Sequence, residues 1–138
     1  MKGESLYLDT SAVLRSLLES GTSPELEARM RSAAALVTSR LSLVESARAL
    51  LRLRSMGRSE REIADATREI ESLWARCELW ELSLAVCEEA QHVAPGRPLR
   101  TLDALHLATY LLARRRIPDL QLLTADTRLE KAIFGAGH

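Results

Sequence analysis

Residues 5–13 read SLYLDTSAV, a short apolar run that passes directly into an acid and then into a helical pattern. Residues 5–9 are typical of a short buried strand. The helix that follows carries apolar residues at helical spacing up to Leu18, with Ser11 as its expected cap and Gly21-Thr22 at its end. A buried strand that leads into a helix predicts the first unit of an α/β fold.

The same alternation continues along the rest of the chain. Strands are predicted at 35–38, 78–81 and 120–123. Two helices are predicted on either side of the strand at 35–38: one at about 24–34, and one from Ser42 to Met56-Gly57. A capping box of Ser59 and Glu62 then begins a helix that runs to about residue 76. Further helices are predicted from Ser83, at 101–115 and from about 126. Strands that alternate with helices or helix pairs predict a parallel sheet covered on both faces.

Two of the predicted helices carry an apolar stripe on one face. In the helix from Ser42 the stripe is Leu43, Ala47, Leu50 and Leu51. In the helix at 101–115 it is Ala104, Leu105, Ala108, Leu111 and Leu112.

Length and composition set further bounds. The 138 residues match one domain, so we expect residues 1–138 to form a single unit. No apolar run approaches the roughly 20 residues of a membrane helix, and residues 1–10 lack a signal-peptide pattern, so we expect a cytoplasmic protein without a membrane partner. The 19 basic residues balance the 19 acidic ones, and bulk charge therefore gives no support for a nucleic-acid partner.

Four acids follow short apolar stretches or begin helical patterns: Asp9, Glu45, Asp103 and Asp126. Each alone is compatible with a helix cap or with the favourable end of a helix dipole. Together they point elsewhere, because strand ends in a parallel sheet converge on one crevice, where clustered carboxylates repel each other unless a cation holds them. No cysteine lies near them, and oxygen ligands suit Mg²⁺ or Mn²⁺. The pattern indicates metal-assisted phosphodiester chemistry.

Two other functions compete with metal-assisted phosphodiester chemistry as explanations of these acids. A phosphatase with Asp9 as nucleophile would want a second acid at position 11, which is Ser11, and a catalytic lysine, whereas the lysines are Lys2 and Lys131. A non-catalytic module that binds RNA or a protein would typically lack one or more of the acids, and all four are present.

Four motifs in order carry a resemblance that covers essentially the whole chain. They are LYLDTSAVL at 6–14, SLVESARALLRL at 42–53, LRTLDALHLATYL at 99–111 and LLTADTRLEKA at 122–132. The chain resembles PIN-domain ribonucleases of the VapC toxin type. The resemblance implies a three-layer α/β/α fold with a central parallel sheet of four or five short strands, endonucleolytic cleavage of RNA with Mg²⁺ or Mn²⁺, a homodimer, and a cognate VapB-like antitoxin.

The resemblance also assigns roles to residues. Asp9, Glu45 and Asp103 are the more secure members of an acidic quartet, and Asp126 completes it, holding a metal through water. Polar residues expected to hydrogen-bond the carboxylates or a bound water are Thr10, Ser11 and Thr124.

Several residues near the quartet keep two interpretations. His106 can share a helical face with Asp103, and we favour a structural or hydrogen-bonding role over a catalytic one. Arg97 and Arg100 either contact an RNA phosphate or belong to a solvated loop. In the family the helical pair around residue 57 often presents a groove to the antitoxin, and ordinary core packing is equally compatible with the apolar residues there, Leu50, Leu51, Leu53 and Met56.

Overall fold

In the computed structural model, four strands and seven helices alternate along the described residues, 3–18 and 23–135. The strands are β1 (Ser5–Leu8), β2 (Ala35–Ser39), β3 (Cys77–Trp80) and β4 (Gln121–Leu123). The helices are α1 (Thr10–Leu18), α2 (Pro24–Ser32), α3 (Arg40–Ser55), α4 (Glu60–Ala75), α5 (Leu84–Ala90), α6 (Thr101–Arg116) and α7 (Thr127–Gly135). The predicted end of the first helix at Gly21-Thr22 lies outside the described residues.

All four strands pair in parallel, in the order β3-β2-β1-β4. Tyr7 of β1 lies opposite Val37 of β2 on one side and Leu122 of β4 on the other. The chain therefore leaves β1 in one direction, toward β2 and β3, and returns on the opposite side as β4. Such a reversal opens a crevice at the carboxyl ends of the strands, and Asp9 is the residue directly after β1.

The two faces of the sheet have separate cores because successive strand residues point to opposite sides. Tyr7 and Val37 pack with residues of α6 and α7. Leu6, Leu8 and Leu36 pack on the other face, with residues of α1, α2 and α4. The predicted three-layer α/β/α fold with a central parallel sheet is confirmed. In the described part of the chain, no helix is long and apolar enough to cross a membrane.

Two helices begin earlier than predicted, because a polar residue upstream is the cap. Asp9, and not Ser11, accepts a hydrogen bond from the backbone N–H of Ala12 at the start of α1. Ser39, and not Ser42, caps α3 by accepting from the N–H of Leu41. The predicted capping box at the start of α4 and the Ser83 cap of α5 are both confirmed.

The buried faces of α3 and α6 also differ from the predicted stripes. On α3 the buried residues are Leu41, Ser42, Ser46 and Ala49, while Leu51 is 47% exposed. Small side chains let this face approach its neighbours closely, and Ser46 accepts a hydrogen bond from the indole of Trp74. On α6 only Ala108 of the predicted stripe is fully buried, because the helix buries a continuous stretch from His106 to Tyr110.

Candidate active site

Asp9 lies at the centre of a polar cluster at the carboxyl end of β1. Its side chain is only 4% exposed. The carboxylate accepts hydrogen bonds from the hydroxyl of Ser11 at 2.8 Å, from the hydroxyl of Thr124 at 2.7 Å and from the N–H of Ala12 at 3.2 Å. Burial raises the pKa of Asp9, although these donors and the nearby His106 oppose the rise. The fold thus holds an acid where its charge is poorly solvated.

Glu45 is held by a second set of donors. Oε1 of Glu45 accepts from the hydroxyl of Thr10 at 2.6 Å and lies 2.7 Å from Nε2 of His106. Burial alone would raise the pKa of Glu45, but the hydrogen bonds from His106 and Thr10 outweigh it and lower the pKa from its ordinary value. Because Thr10 follows Asp9 directly, this contact brings α3 to the acid at the end of β1.

His106 is fixed at both ring nitrogens. Nδ1 lies 2.8 Å from the hydroxyl of Tyr7, and the ring is 3% exposed. An Nε2–H that donates to Glu45 leaves Nδ1 free to accept from Tyr7 when the ring is neutral. The ring therefore links β1 to the Glu45 carboxylate and fixes the position of that carboxylate.

Asp103 lies in the first turn of α6, and Asp126 directly precedes α7. Burial raises the pKa of Asp103, the negative charge of Asp126 raises it further, and Arg128 opposes both. Asp126 accepts from the N–H of Arg128 at 2.9 Å, and its own N–H donates to the hydroxyl of Thr124 at 2.9 Å. Asp126 therefore caps the start of α7, and its charge also acts on Asp103.

The hydroxyls expected near the site contact the acids or each other. Ser11 lies 3.2 Å from Thr124, and its hydroxyl oxygen accepts from the N–H of Ala125 at 3.0 Å. These contacts connect α1 to the loop that carries Asp126, as Thr10 connects it to Glu45. Within residues 3–18 and 23–135, however, no three Asp, Glu, His or Cys side chains converge closely enough to hold one ion.

The donor set fits a hard divalent cation by its chemistry. All four acids offer oxygen, the ligand atom that Mg²⁺ and Mn²⁺ prefer. Burial raises the pKa of Asp9 and so disfavours its charged form. Burial and the neighbouring Asp126 carboxylate do the same for Asp103. A cation in the crevice would relieve both penalties.

Two arginines were expected from the sequence either to contact RNA or to belong to a solvated loop. Arg97 and Arg100 are exposed in the loop before α6, and neither has an acidic partner in the described part of the chain. Sequence reasoning missed two residues, Tyr7 and Arg128. Tyr7 carries the only polar side chain of β1 after Ser5, and Arg128 lies two residues beyond Asp126. An aromatic hydroxyl in an otherwise aliphatic strand was the available signal for Tyr7.

Known proteins resemble the chain in sequence and in fold. The sequence profile described as the PIN domain matches residues 6–134. Ribonuclease VapC45 of Mycobacterium tuberculosis strain CDC 1551 is 34% identical over 133 residues, which span 96% of this chain and 91% of that protein. Ribonuclease VapC49 of strain H37Rv gives the same identity and coverage.

Two solved structures share the fold. The crystal structure of PAE2754 from Pyrobaculum aerophilum has a TM-score of 0.67 at 23% identity, with 97% of this chain and 82% of that chain covered. A toxin–antitoxin complex from Klebsiella pneumoniae has a TM-score of 0.66 at 20% identity, with 94% and 93% covered. At these identities the likeness establishes the architecture alone.

Proposed function

Because the chain belongs to the PIN domain family, we propose that it is an endoribonuclease of the VapC toxin type. One observation carries the proposal: the buried carboxylate of Asp9 lies at the topological reversal of the sheet and is tied by hydroxyls to the segment that carries Asp126. The names of the relatives, both ribonucleases at 34% identity, support the reaction class.

We propose that Asp9, Glu45 and Asp103 hold Mg²⁺ or Mn²⁺, with Asp126 contributing through water. When bound, the cation would activate a water molecule and stabilise the departing oxyanion of a phosphodiester. Ser11 and Thr124 hold the Asp9 carboxylate in place, while Thr10 and His106 orient Glu45. Asp103 is half-buried, which leaves its side chain room to reorient toward a shared ion, whereas one oxygen of the half-buried Asp126 is held by the N–H of Arg128.

We further propose a homodimer and a VapB-like antitoxin as partners. Support comes from the apolar surface at the end of α3, where Leu51 is 47% exposed and Met56, the residue after the helix, is 75% exposed. Beside it, a cavity of about 440 Å³ between α3 and α4 is lined in part by Leu43, Leu50 and Trp74. An amphipathic helix of an antitoxin fits such a groove.

Cleavage of RNA by the purified chain tests the proposed activity. RNA is incubated with Mg²⁺, with Mn²⁺ or with EDTA, and Asp9→Asn is compared with Asp119→Asn, an exposed acid outside the cluster. We expect cleavage by the wild type and by Asp119→Asn only with metal, and none by Asp9→Asn. Metal-dependent cleavage by Asp9→Asn would refute the assignment.

A second function, an RNA- or protein-binding module without catalysis, is favoured by one observation. No three potential ligands among the described residues converge on one point. Such a module would bind RNA and leave it intact with every metal, and would give no heat signal when Mn²⁺ is titrated into it.

A further inference from the structure

A cavity of about 510 Å³ opens next to Glu45, between α1, α3 and the start of α6. Thr10, Ser11 and Glu45 form its edge toward the acidic cluster. Its remaining lining is apolar apart from two arginines: Leu14, Leu41, Val44, Leu102, Arg48 and Arg52. The volume falls within the roughly 300–1,000 Å³ of pockets that take small ligands.

The two arginines stand on the same face of α3 as Glu45. Positions 45, 48 and 52 are separated by three and four residues, which places them along one side of a helix. Both side chains are exposed, and neither has an acidic partner within residues 3–18 and 23–135. Neighbouring arginines differ, because Arg54 pairs with Glu60 and Arg58 pairs with Glu62.

Two exposed guanidinium groups side by side at the edge of a cavity offer a site for an anionic ligand. The chain has no net charge, so attraction for a phosphate backbone must come from local groups. Guanidinium groups match phosphate oxygens with two parallel hydrogen bonds. The apolar floor, where Val44 is 53% and Leu102 46% exposed, offers a surface for a base that is not stacked in a duplex.

We propose that this cavity seats a nucleotide of single-stranded RNA next to the bond that is cleaved. Arg48 and Arg52 contact its flanking phosphates, and the base lies against Val44 and Leu102. The inference rests on the proposed function, since it supplies the substrate surface of that same site. It assigns the selection of single-stranded substrate to α3 and to the first turn of α6.

Binding without cleavage tests the proposal. A short, fluorescently labelled single-stranded RNA of randomised sequence is titrated in EDTA, from about 50 to 200 mM salt, the range in which phosphate contacts show most clearly. The double variant Arg48→Gln/Arg52→Gln is compared with Arg31→Gln/Arg61→Gln. Arg31 and Arg61 are exposed, lie outside the cavity and have no acidic partner in the described part of the chain, so the control removes the same charge.

Two lost phosphate contacts should make the negative slope of log K against log salt shallower by roughly 1.4, at about 0.7 per contact for single strands. If the variant and the wild type bind equally at 1 M salt, this difference in slope makes the variant roughly 25-fold weaker near 0.1 M. The control pair should change both quantities little. The variant Val44→Ala/Leu102→Ala should weaken binding at an unchanged slope, whereas Leu84→Ala, on a side chain 74% exposed and outside the cavity, should not.

The outcomes separate this inference from the proposed function. The expected binding pattern in a chain that cleaves no RNA would support the seating of single-stranded RNA in this cavity and refute the nuclease. An Arg48→Gln/Arg52→Gln variant that binds RNA like its control would overturn the inference whether or not the wild type cleaves. Poly-glutamate, an acidic polypeptide, is titrated as a second probe. If Arg48→Gln/Arg52→Gln lost binding to poly-glutamate but not to RNA, the cavity would belong to an acidic protein partner and the inference would be overturned.

Discussion

The variant Tyr7→Phe removes one hydroxyl from the chain of contacts that ends at Glu45. Tyr7 is fully buried, and its hydroxyl lies 2.8 Å from Nδ1 of His106. Phenylalanine keeps the ring and its packing against α6, but Nδ1 loses this partner in a position that is 3% exposed. We expect the protein to fold, with a destabilised core and a less firmly held carboxylate at position 45.

The cost follows from leaving a buried polar atom without a partner, about 1–3 kcal/mol. With a urea dependence of about 1–3 kcal/mol per molar, a loss near the middle of that range moves the unfolding midpoint by roughly 1 M. Loosening the group that orients a metal-binding carboxylate should lower the rate of RNA cleavage by about 10- to 100-fold.

Tyr110→Phe provides the matched control. The Tyr110 hydroxyl is also buried and donates to the carbonyl of Leu120 at 3.0 Å, away from the acids. Urea unfolding and RNA cleavage are measured for both variants under the same conditions. Tyr110→Phe should lose stability and keep its cleavage rate, whereas Tyr7→Phe should lose both.

Either of two results would refute this reasoning. If Tyr7→Phe cleaved RNA as fast as Tyr110→Phe, the hydroxyl would have no part in placing Glu45. If Tyr7→Phe were as stable as the wild type, Nδ1 of His106 would have no need of the partner that the structure gives it.

Three further predictions concern the acids themselves. Because burial raises the pKa of Asp9, the folded state favours the proton, and stability falls as pH rises from the ordinary value through the raised one. Asp9→Asn should therefore resist urea better than the wild type at neutral pH, as urea unfolding would show. The lowered pKa of Glu45 has the opposite sign: it stabilises the fold above the ordinary pKa, and this contribution disappears as pH falls through the lowered value, so Glu45→Gln should show a smaller loss of stability on acidification. Asp126→Asn removes a negative charge beside Asp103 and should lower the pKa of Asp103 in an NMR titration; an unchanged pKa would mean that the two carboxylates do not interact.

The order and type of the elements could be predicted because the strands are short and lie between clear helix signals. The starts of α1 and α3 could not, since two polar residues compete at each. Asp9 and Ser11 are both good caps, and the hydroxyl of Ser11 instead turns back to the Asp9 carboxylate. Ser42 likewise lies inside α3, where its hydroxyl contacts that of Thr38 at 2.8 Å.

The buried face of α3 illustrates a second limit. A periodic stripe of leucines normally marks the core side of a helix. Here Ser42, Ser46 and Ala49 are buried, together with Leu41. Leu43 and Leu50 instead line a groove against α4, and Leu51 is exposed. Nothing in the sequence alone distinguishes leucines that fill a core from leucines on an outward surface.

The candidate site could be predicted in part. The acids and hydroxyls carry recognisable motifs, and the structure places Thr10, Ser11 and Thr124 in contact with Asp9 or Glu45. The role of Tyr7 depends on a contact 99 positions apart in the chain, which no local pattern contains.

Titration of Mn²⁺ into the purified chain tests directly whether the four carboxylates form one cation site. Binding heats are compared for the wild type, Asp9→Asn, Asp103→Asn and the exposed control Asp119→Asn, with RNA cleavage followed on the same samples. We expect binding by the wild type and the control, and loss of both binding and cleavage in Asp9→Asn and Asp103→Asn. Mn²⁺ binding that survives in both site variants, or cleavage by a wild type that binds no metal, would contradict the proposed site.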